Sequence, residues 1–357
     1  MPDRNRRAFG SGGCFLVYAI STVSQIHSTI DLSAPGAQYG HLAVPYSYNL
    51  GGWANLQVPI ASLRNGPGPT VLLMAGNHGD EYPGQVAILK LWRELRLDDV
   101  AGHLIVVPCL NPPASQAATR LSPLDGKNFN RCFPGNAAGT PSEMLAHYLT
   151  TVLFPMADVV IDLHTGGRSL SFLPTAHMHL VPDLKQRAAM LAATEAFLLD
   201  VAFLYADVAG TGLLPVEAER QGKIVITTEL GGGEVVPASV HRQCQRGLRN
   251  VLVHCGAVRG ELVRRERPAR WVQSLDRDDY RFAPESGMYE SCVDPGESVV
   301  KGQVVGRIHF LERPDRAAAE VVANGDGMLI AGRAPSMVKQ GDCVACIAHD
   351  VDPYNLP

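Results

Sequence analysis

Short apolar runs of strand length alternate with longer segments of helical periodicity, and this alternation constrains the fold more than any other feature. The apolar runs end at glycine or polar residues and predict buried strands at residues 70–75, 103–110, 158–164 and 223–230. Segments with apolar residues on one helical face predict helices at residues 85–97, 142–153, 184–199 and 238–255, the second of them with Ser142 as a possible N-cap. Strands that alternate with helices predict an α/β fold with a mixed, largely parallel sheet sandwiched by helices.

The pattern of apolar and charged residues changes after about residue 260. Residues 264–270 are charged and contain proline, which is typical of a linker. Beyond them lie short β-like runs and a weak internal repeat, since Gly287-Met288 and Gly327-Met328 each lead into a similar hairpin-like segment. We therefore expect a leader at residues 1–30, an α/β domain at 31–262, and a small all-β barrel or sandwich at 275–350 that resembles lipoyl-type barrels. Lys301 and Lys339 are interpreted as solvated turn residues.

Composition excludes several classes of protein. Only 18% of the residues are charged and the net charge is −4, so no basic field is present to hold a nucleic acid. The eight cysteines are scattered through apolar runs, which indicates reduced thiols of a cytoplasmic protein, and the lone pair Cys343 and Cys346 does not predict a structural zinc site. The N-terminal segment resembles a signal peptide only weakly. No apolar stretch is long enough to span a membrane.

The segment Gly76-Asn-His-Gly-Asp-Glu-Tyr-Pro-Gly84 is the strongest chemical signal in the chain. His78 and Glu81 lie three residues apart in a tight turn that follows a predicted strand, so both side chains can reach one point. His164 ends another predicted strand, before two glycines. Because ligand sites form at the carboxyl ends of parallel strands, these three groups predict a metal site with an open fourth position. Asp162 either supports the second imidazole from behind or faces away from it.

Two further segments carry candidate catalytic groups. The loop from Arg120 to Gly135 holds two arginines and two amides, Arg120, Arg131, Asn128 and Asn130, which together could bind a carboxylate or an oxyanion. Glu229 ends an apolar strand before three glycines, an unusual position for a structural carboxylate. It is our candidate general base, which would take a proton from water and return it to the leaving amine.

These segments together resemble the succinylglutamate desuccinylase/aspartoacylase family, which is related to the zinc carboxypeptidases. The resemblance extends over roughly residues 30–350 and rests on the phrases G-N-H-G-D-E, N-F-N-R, D-L-H-T-G-G and T-E-L-G-G-G in this order. Phrases such as Ser122-Pro-Leu-Asp-Gly126 look most similar to the branch that deacetylates N-acetyl-L-2,4-diaminobutyrate in ectoine degradation. The residue after Gly167 departs from that branch, because Arg168 stands where lysine is expected and could contact the substrate.

The resemblance implies a carboxypeptidase-like fold with a trailing β domain, a homodimer, and one Zn²⁺ per chain on His78, Glu81 and His164. It further implies that Glu229 is the general base and then acid, that Arg120 polarises the scissile carbonyl, and that Asn130 and Arg131 bind the substrate carboxylate. The expected activity is hydrolysis of a small N-acyl amino acid. A peptide carboxypeptidase and a non-catalytic zinc-binding protein are the competing interpretations.

Overall fold

The computed structural model describes residues 24–206 and 211–356. Its helices are α1 (Tyr82–Glu94), α2 (Pro112–Ala117), α3 (Pro141–Tyr148), α4 (Phe154–Met156), α5 (Leu184–Ala196), α6 (Leu214–Arg220) and α7 (Ala238–His254). The first eleven strands are β1 (His27–Ser28), β2 (Gly36–Tyr48), β3 (Gly51–Arg64), β4 (Thr70–Ala75), β5 (His103–Val107), β6 (Val159–His164), β7 (Leu170–Phe172), β8 (Thr175–Met178), β9 (Val201–Tyr205), β10 (Ile224–Glu229) and β11 (Arg270–Ser274). The remaining strands are β12 (Tyr280–Phe282), β13 (Gly287–Ser291), β14 (Ser298–Val299), β15 (Val304–His309), β16 (Ala319–Val322), β17 (Gly327–Arg333), β18 (Met337–Val338) and β19 (Cys343–Asp350).

The predicted strands and helices are present with small shifts at their ends. One detail of the prediction is wrong, because α3 begins at Pro141 with Thr140 as its N-cap residue. Ser142 lies inside the first turn, where its hydroxyl and backbone N–H both donate to the carboxylate of Asp125, at 3.0 and 2.9 Å. The backbone N–H of Thr140 instead donates to Glu143 Oε2. A proline at the first helical position therefore marks this helix start better than the serine does.

A large mixed sheet organises the α/β region in the order β1-β2-β3-β5-β4-β6-β10-β8-β9-β11. Strands β5, β4, β6 and β10 are parallel, whereas β3 and β8 run antiparallel to their inner neighbours. Alternate side chains of β4 enter different hydrophobic clusters: Leu72 and Met74 pack with α3 and α6, and Val71 and Leu73 pack with α1 and α7. The sheet is thus covered by helices on both faces, as expected for a buried parallel core.

The C-terminal β region is continuous with the large sheet. Arg270–Ser274, partly inside the expected linker, forms β11, which pairs in parallel with β9 and antiparallel with β19. Beyond it, β13, β15, β16 and β18 form a four-stranded antiparallel sheet that shares one hydrophobic cluster with β14, β17 and β19. The two units of the internal repeat exchange strands. Strand β14 of the first unit pairs with β17 of the second, and β18 of the second unit pairs with β13 of the first. Lys301 and Lys339 lie in exposed turns.

In the part of the chain that the structure describes, no helix is both long and apolar enough to cross a lipid bilayer. The cysteines there are all free thiols, at positions 109, 132, 244, 255, 292, 343 and 346. Cys346 is buried beside the hydroxyl of Ser274, and the thiol of Cys343 contacts the carbonyl of Ala345. The predicted leader at residues 1–30 lies mostly outside the described residues.

A buried histidine at the start of β5 makes the stability of this fold depend on pH. His103 Nε2 lies 3.0 Å from the hydroxyl of Ser62, and burial, aided by the positive charge of Arg64, lowers the pKa of His103 to about 4. The imidazole is therefore neutral in the folded chain, and its contribution is present above pH 6.5 and lost as the pH falls towards 4. We expect the unfolding free energy to fall in this window with a slope of up to about 1.4 kcal/mol per pH unit from this group.

Urea unfolding at several pH values, for the wild type and for His103→Gln, checks this expectation. Other groups titrate in the same window, so the informative quantity is the difference in slope between the two proteins. Parallel slopes for the wild type and the variant would show that His103 does not contribute.

Candidate active site

The two predicted metal-binding segments meet at one edge of the sheet. Glu229 and His164 are the last residues of β10 and β6 and stand opposite each other in register. His78 and Glu81 lie in the turn between β4 and α1, and Glu81 is the residue directly before that helix. Gly79 allows the turn to pack tightly, because a Cβ there would come within 2.0 Å of the carbonyl carbon of Ala114. The order of the strands thus brings together groups that are far apart in the sequence.

His78, Glu81 and His164 form a buried triad with converging ligand atoms. Glu81 Oε1 lies 2.7 Å from His78 Nδ1, and Glu81 Oε2 lies 2.9 Å from His164 Nδ1. The carboxylate also accepts the backbone N–H of Thr165 at 3.1 Å. One donor atom from each of the three side chains lies within 4.8 Å of the others. This is the one group of its kind found among the described residues, and it is the predicted one.

The outer nitrogen of each imidazole is occupied by an acceptor. His78 Nε2 donates to Asn128 Oδ1 at 3.0 Å, and His164 Nε2 donates to Asp162 Oδ2 at 2.8 Å. Asn128 Oδ1 also accepts the backbone N–H of Asn130, which identifies it as the amide oxygen. Of the two alternatives left open for Asp162, the structure shows the one in which it supports His164 from behind. Asn128, expected to bind substrate, instead lies behind a histidine.

This arrangement fits a bound cation. With the Nε2 proton of each ring donated outward, the Nδ1 atom of a neutral imidazole carries a lone pair. Both lone pairs then face carboxylate oxygens of Glu81 at less than 3 Å, which is repulsive unless a proton or a metal ion lies between them. Two imidazoles and one carboxylate form a donor set that suits zinc and related divalent metals.

The pKa values of the three triad residues reflect their burial and their close contacts with one another. Burial lowers the pKa of His78. Burial would also lower the pKa of His164, but the carboxylates of Asp162 and Glu81 outweigh it and raise that pKa well above its usual range. Burial alone would raise the pKa of Glu81, yet the two imidazoles hold it below the ordinary value. The negative charge of Glu81 is therefore compensated locally, by the same groups that could share a metal ion.

Glu229 stands apart from this network. Burial, reinforced by the negative charge of Glu81, raises the pKa of Glu229 to about 8. Its Oε2 atom is buried and has no hydrogen-bond partner in the structure. A buried carboxyl oxygen without a partner is costly, so such a group in a cleft is a candidate for proton transfer. A cation among the three ligands would lower this pKa, because its positive charge offsets that of Glu81 and favours the ionised carboxylate.

A cavity of about 190 Å³ surrounds these groups. Arg120 lies at its edge, with one guanidinium nitrogen 3.3 Å from His78 Nδ1 and 3.4 Å from Glu81 Oε1. Asn130 and Arg131 also line it. The amide oxygen of Asn130 is used by the backbone N–H of Leu214 at 2.8 Å, so its amide N–H₂ is the part left for a ligand.

Arg168 does not line this cavity. Its side chain is 67% exposed and forms an ion pair with Glu234, with 2.9 Å between Nε and Oε2. Its backbone N–H donates to the buried carboxylate of Asp80, which ties the loop after His164 to the turn between His78 and Glu81. The structure thus places Arg168 in a contact between loops, and the contact with substrate expected from its position after Gly167 stays a prediction.

Much of the cavity wall comes from residues that carry no motif. Aromatic and histidine side chains of β7, β8 and β9 form one side, and two residues of the C-terminal β region, Tyr280 and Cys346, close another. The imidazole of His177 packs edge-on against Phe203, with ring centroids 4.8 Å apart. These residues were missed because each reads as an ordinary strand residue. Their position near the end of β10 was the only feature that could have identified them as cavity residues.

Removing the acceptor behind His78 should weaken metal binding without touching a ligand. We expect Asn128→Ala to lower the affinity for Zn²⁺ by roughly 10–100-fold, because the ring loses the bond that fixes its tautomer and orientation. Competition with a chromophoric chelator measures this affinity. Asn128→Asp keeps both acceptor contacts and should retain tight binding. Asn136→Ala changes an exposed turn amide nearby and serves as the control; an Asn128→Ala affinity equal to that control would contradict the assigned role.

Comparison with known proteins agrees with the geometry. Residues 67–255 match the model of the succinylglutamate desuccinylase/aspartoacylase catalytic domain. The chain is 41% identical over 329 residues to the N-alpha-acetyl-L-2,4-diaminobutyric acid deacetylase of Halomonas elongata, which covers 92% of this chain and 96% of the relative.

Comparison with solved structures leads to the same family. The product-bound ectoine utilization protein EutE (DoeB) from Ruegeria pomeroyi superposes with a TM-score of 0.87 at 38% identity, over 91% of this chain and 98% of that one. A succinylglutamate desuccinylase/aspartoacylase from Rhodobacter sphaeroides gives a TM-score of 0.88 at 40% identity, over 92% and 100%. With the family model covering more than half of its length and relatives aligned over nearly all of it, this chain belongs to the succinylglutamate desuccinylase/aspartoacylase family.

Proposed function

We propose that this chain is a zinc-dependent deacylase that hydrolyses the amide bond of a small N-acyl amino acid, with Zn²⁺ held by His78, Glu81 and His164. One observation carries the proposal: the Nδ1 atoms of two imidazoles face the two oxygens of one carboxylate beside the buried, unpaired oxygen of Glu229. Membership of a deacylase family supports the reaction class. The proposed location is the cytoplasm, which the free thiols of the described residues support.

The chemistry divides between the metal and the chain. A zinc ion held by the triad would act as a Lewis acid that lowers the pKa of water and polarises the amide carbonyl. Glu229 takes one proton from the attacking water as the new C–O bond forms. The same carboxyl then delivers this proton to the amine nitrogen as the C–N bond breaks, so that a free carboxylic acid and a free amine leave.

The remaining cavity groups bind and orient. Arg120, which already contacts the edge of the triad, donates to the carbonyl oxygen as negative charge develops there. Asn130 and Arg131 bind the α-carboxylate of the substrate; a planar guanidinium with two N–H groups suits this task. This division leaves the acyl group at the triad and the amino-acid part near the loop that carries Asn130.

N-acetyl-L-2,4-diaminobutyrate is the substrate we propose first. The relative that is 41% identical is named as a deacetylase of this compound, and the aligned EutE structure is that of an ectoine utilization protein. Succinylglutamate and N-acetylaspartate are the alternatives within the family. A peptide carboxypeptidase is disfavoured because Tyr280 and Cys346 close the cavity wall from the C-terminal region. A non-catalytic zinc protein would have no use for a glutamate such as Glu229, which lines the cavity with a buried oxygen that has no partner.

Substrate assays and metal analysis test the proposal together. The purified protein, after metal analysis by mass spectrometry, is offered N-acetyl-L-2,4-diaminobutyrate, N-acetylaspartate, N-succinylglutamate and a dipeptide, and release of the free amine is measured. We expect about one zinc ion per chain and the highest kcat/KM for the diaminobutyrate derivative. Preference for another N-acyl amino acid would overturn the substrate but keep the reaction. Absence of hydrolysis of every compound by zinc-loaded protein would overturn both.

A further inference from the structure

Four ring side chains form one side of the active-site cavity. Phe172 of β7, His177 of β8, and Phe203 and Tyr205 of β9 line it together. The imidazole of His177 lies at their centre, with its ring centroid 4.8 Å from that of Phe203, 5.4 Å from that of Tyr205 and 6.2 Å from that of Phe172. We call these four residues the aromatic wall. The catalytic steps proposed above use none of them.

The aromatic wall offers no counter-charge to an anion. Burial, helped by the nearby imidazoles of His164 and His179, lowers the pKa of His177 well below its ordinary range, so the ring of His177 is neutral. Among the lining residues that the structure describes, the side chains with a permanent positive charge are Arg120 and Arg131. Both already have proposed partners, the carbonyl oxygen and the α-carboxylate. A substrate side chain that ends in a carboxylate would be desolvated at this wall without a partner.

Negative charge surrounds the phenol of Tyr205 instead. Burial raises the pKa of Tyr205 well above its ordinary range, and the charges of Glu219 and Glu229 raise it further. Asp162 and Glu219 each lie at hydrogen-bond distance from one of the two nearby imidazoles and balance any positive charge on them. The faces of aromatic rings add negative partial charge of their own. The wall is therefore suited to a cation.

The substrate side chain is the group left to face this wall. The α-carbon of an N-acyl amino acid carries an amide nitrogen, a carboxylate and a side chain. The proposed function places the acyl amide at the triad and the carboxylate at Asn130 and Arg131, so the third substituent points to the remaining side of the cavity. In N-alpha-acetyl-L-2,4-diaminobutyrate this side chain ends in a primary amine, which is protonated at neutral pH as the amine of lysine is.

We propose that the aromatic wall binds the side-chain ammonium group of the substrate by cation–π attraction. The position of the substrate rests on the proposed function; the wall adds the residues that distinguish a cationic side chain from an anionic one. An ammonium group within about 6 Å of a ring centroid is attracted by the π electrons, and the attraction is stronger in a site shielded from water. N-acetyl amino acids with a side-chain carboxylate should therefore be poor substrates.

Two free amino acids test the subsite separately from catalysis. L-2,4-Diaminobutyrate and L-norvaline have side chains of the same length, but only the first ends in an ammonium group. Isothermal titration calorimetry of the zinc-loaded wild type should show ~10-fold tighter binding of L-2,4-diaminobutyrate. Tyr205→Leu removes one π system and should lower this ratio at least ~5-fold. Tyr205→Phe keeps the ring and is the matched control, which should retain the wild-type ratio.

The ratio is informative because a merely structural role of Tyr205 would weaken both amino acids equally. If Tyr205→Leu does not fold, Phe172→Leu replaces a half-buried ring of the same wall and should lower the ratio in the same direction. Equal binding of the two amino acids by the wild type would overturn the proposal. A ratio that is unchanged in the folded leucine variant would also overturn it, and would leave the wall to the acyl group.

Hydrolysis of the two N-acetyl derivatives separates this proposal from the proposed function. We expect kcat/KM for N-alpha-acetyl-L-2,4-diaminobutyrate relative to N-acetyl-L-norvaline to follow the binding ratio in each variant. Selective binding of L-2,4-diaminobutyrate by a protein that hydrolyses neither derivative would support the subsite and overturn the reaction. Hydrolysis of both derivatives at equal kcat/KM, with equal binding of the amino acids, would keep the reaction and overturn the subsite.

Discussion

Replacing Glu229 with glutamine is expected to lower kcat by roughly 10²–10⁴-fold, the usual contribution of a positioned general acid–base group. Glutamine has nearly the same shape but cannot take a proton from water or return it to the amine. The carboxyl it replaces has one buried oxygen without a partner, so no hydrogen bond given in the structure is lost at that atom. Steady-state kinetics on the preferred substrate measure the effect, and zinc content should remain unchanged.

The control for this prediction is Glu234→Gln. Glu234 is also a partly buried glutamate near this end of the sheet, but it pairs with Arg168 outside the cavity. Its replacement should leave kcat close to the wild-type value. If Glu229→Gln keeps most of its activity, another group must handle the proton and the proposed mechanism is wrong at that step. If Glu229→Gln loses its zinc, the glutamate contributes to metal binding and the assignment of ligands has to change.

Removing one ligand should abolish tight metal binding. We expect His164→Ala to weaken zinc binding by more than ~100-fold, because loss of a ligand exceeds the effect of losing a residue behind one. Folding stability should report the same change: free metal at about 1,000 times its Kd stabilises a native protein by about 4.1 kcal/mol. Added zinc should therefore raise the melting temperature of the chelator-stripped wild type much more than that of the variant, for which the same free zinc is at most ~10 times Kd and stabilises by at most about 1.4 kcal/mol.

His177→Ala is the matched control for the ligand variant. His177 is another buried imidazole that lines the same cavity, yet it is not one of the three converging groups. It should bind zinc as the wild type does and show the same metal-dependent rise in melting temperature. Equal zinc affinities for the two histidine variants would mean that position 164 is not a ligand, which would remove the basis of the proposed mechanism.

The sequence alone determined the ends of the central strands and the residues that follow them. Apolar runs that stop at glycine or polar residues located β4, β6 and β10, and His78, His164 and Glu229 lie where those strands end. Such signals are local, since strand periodicity and turn chemistry depend on a few neighbouring residues. The pairing of Glu81 with His78 was equally readable, because both lie in one short turn.

The tertiary structure decided which atoms meet. Only the fold shows that Asn128 lies behind His78, that Arg168 turns away to Glu234, and that Tyr280 closes a cavity whose ligands begin some two hundred residues earlier. These contacts depend on the order and register of strands that are distant in the chain. Sheet order and register arise from packing of the whole core, and no local pattern encodes them.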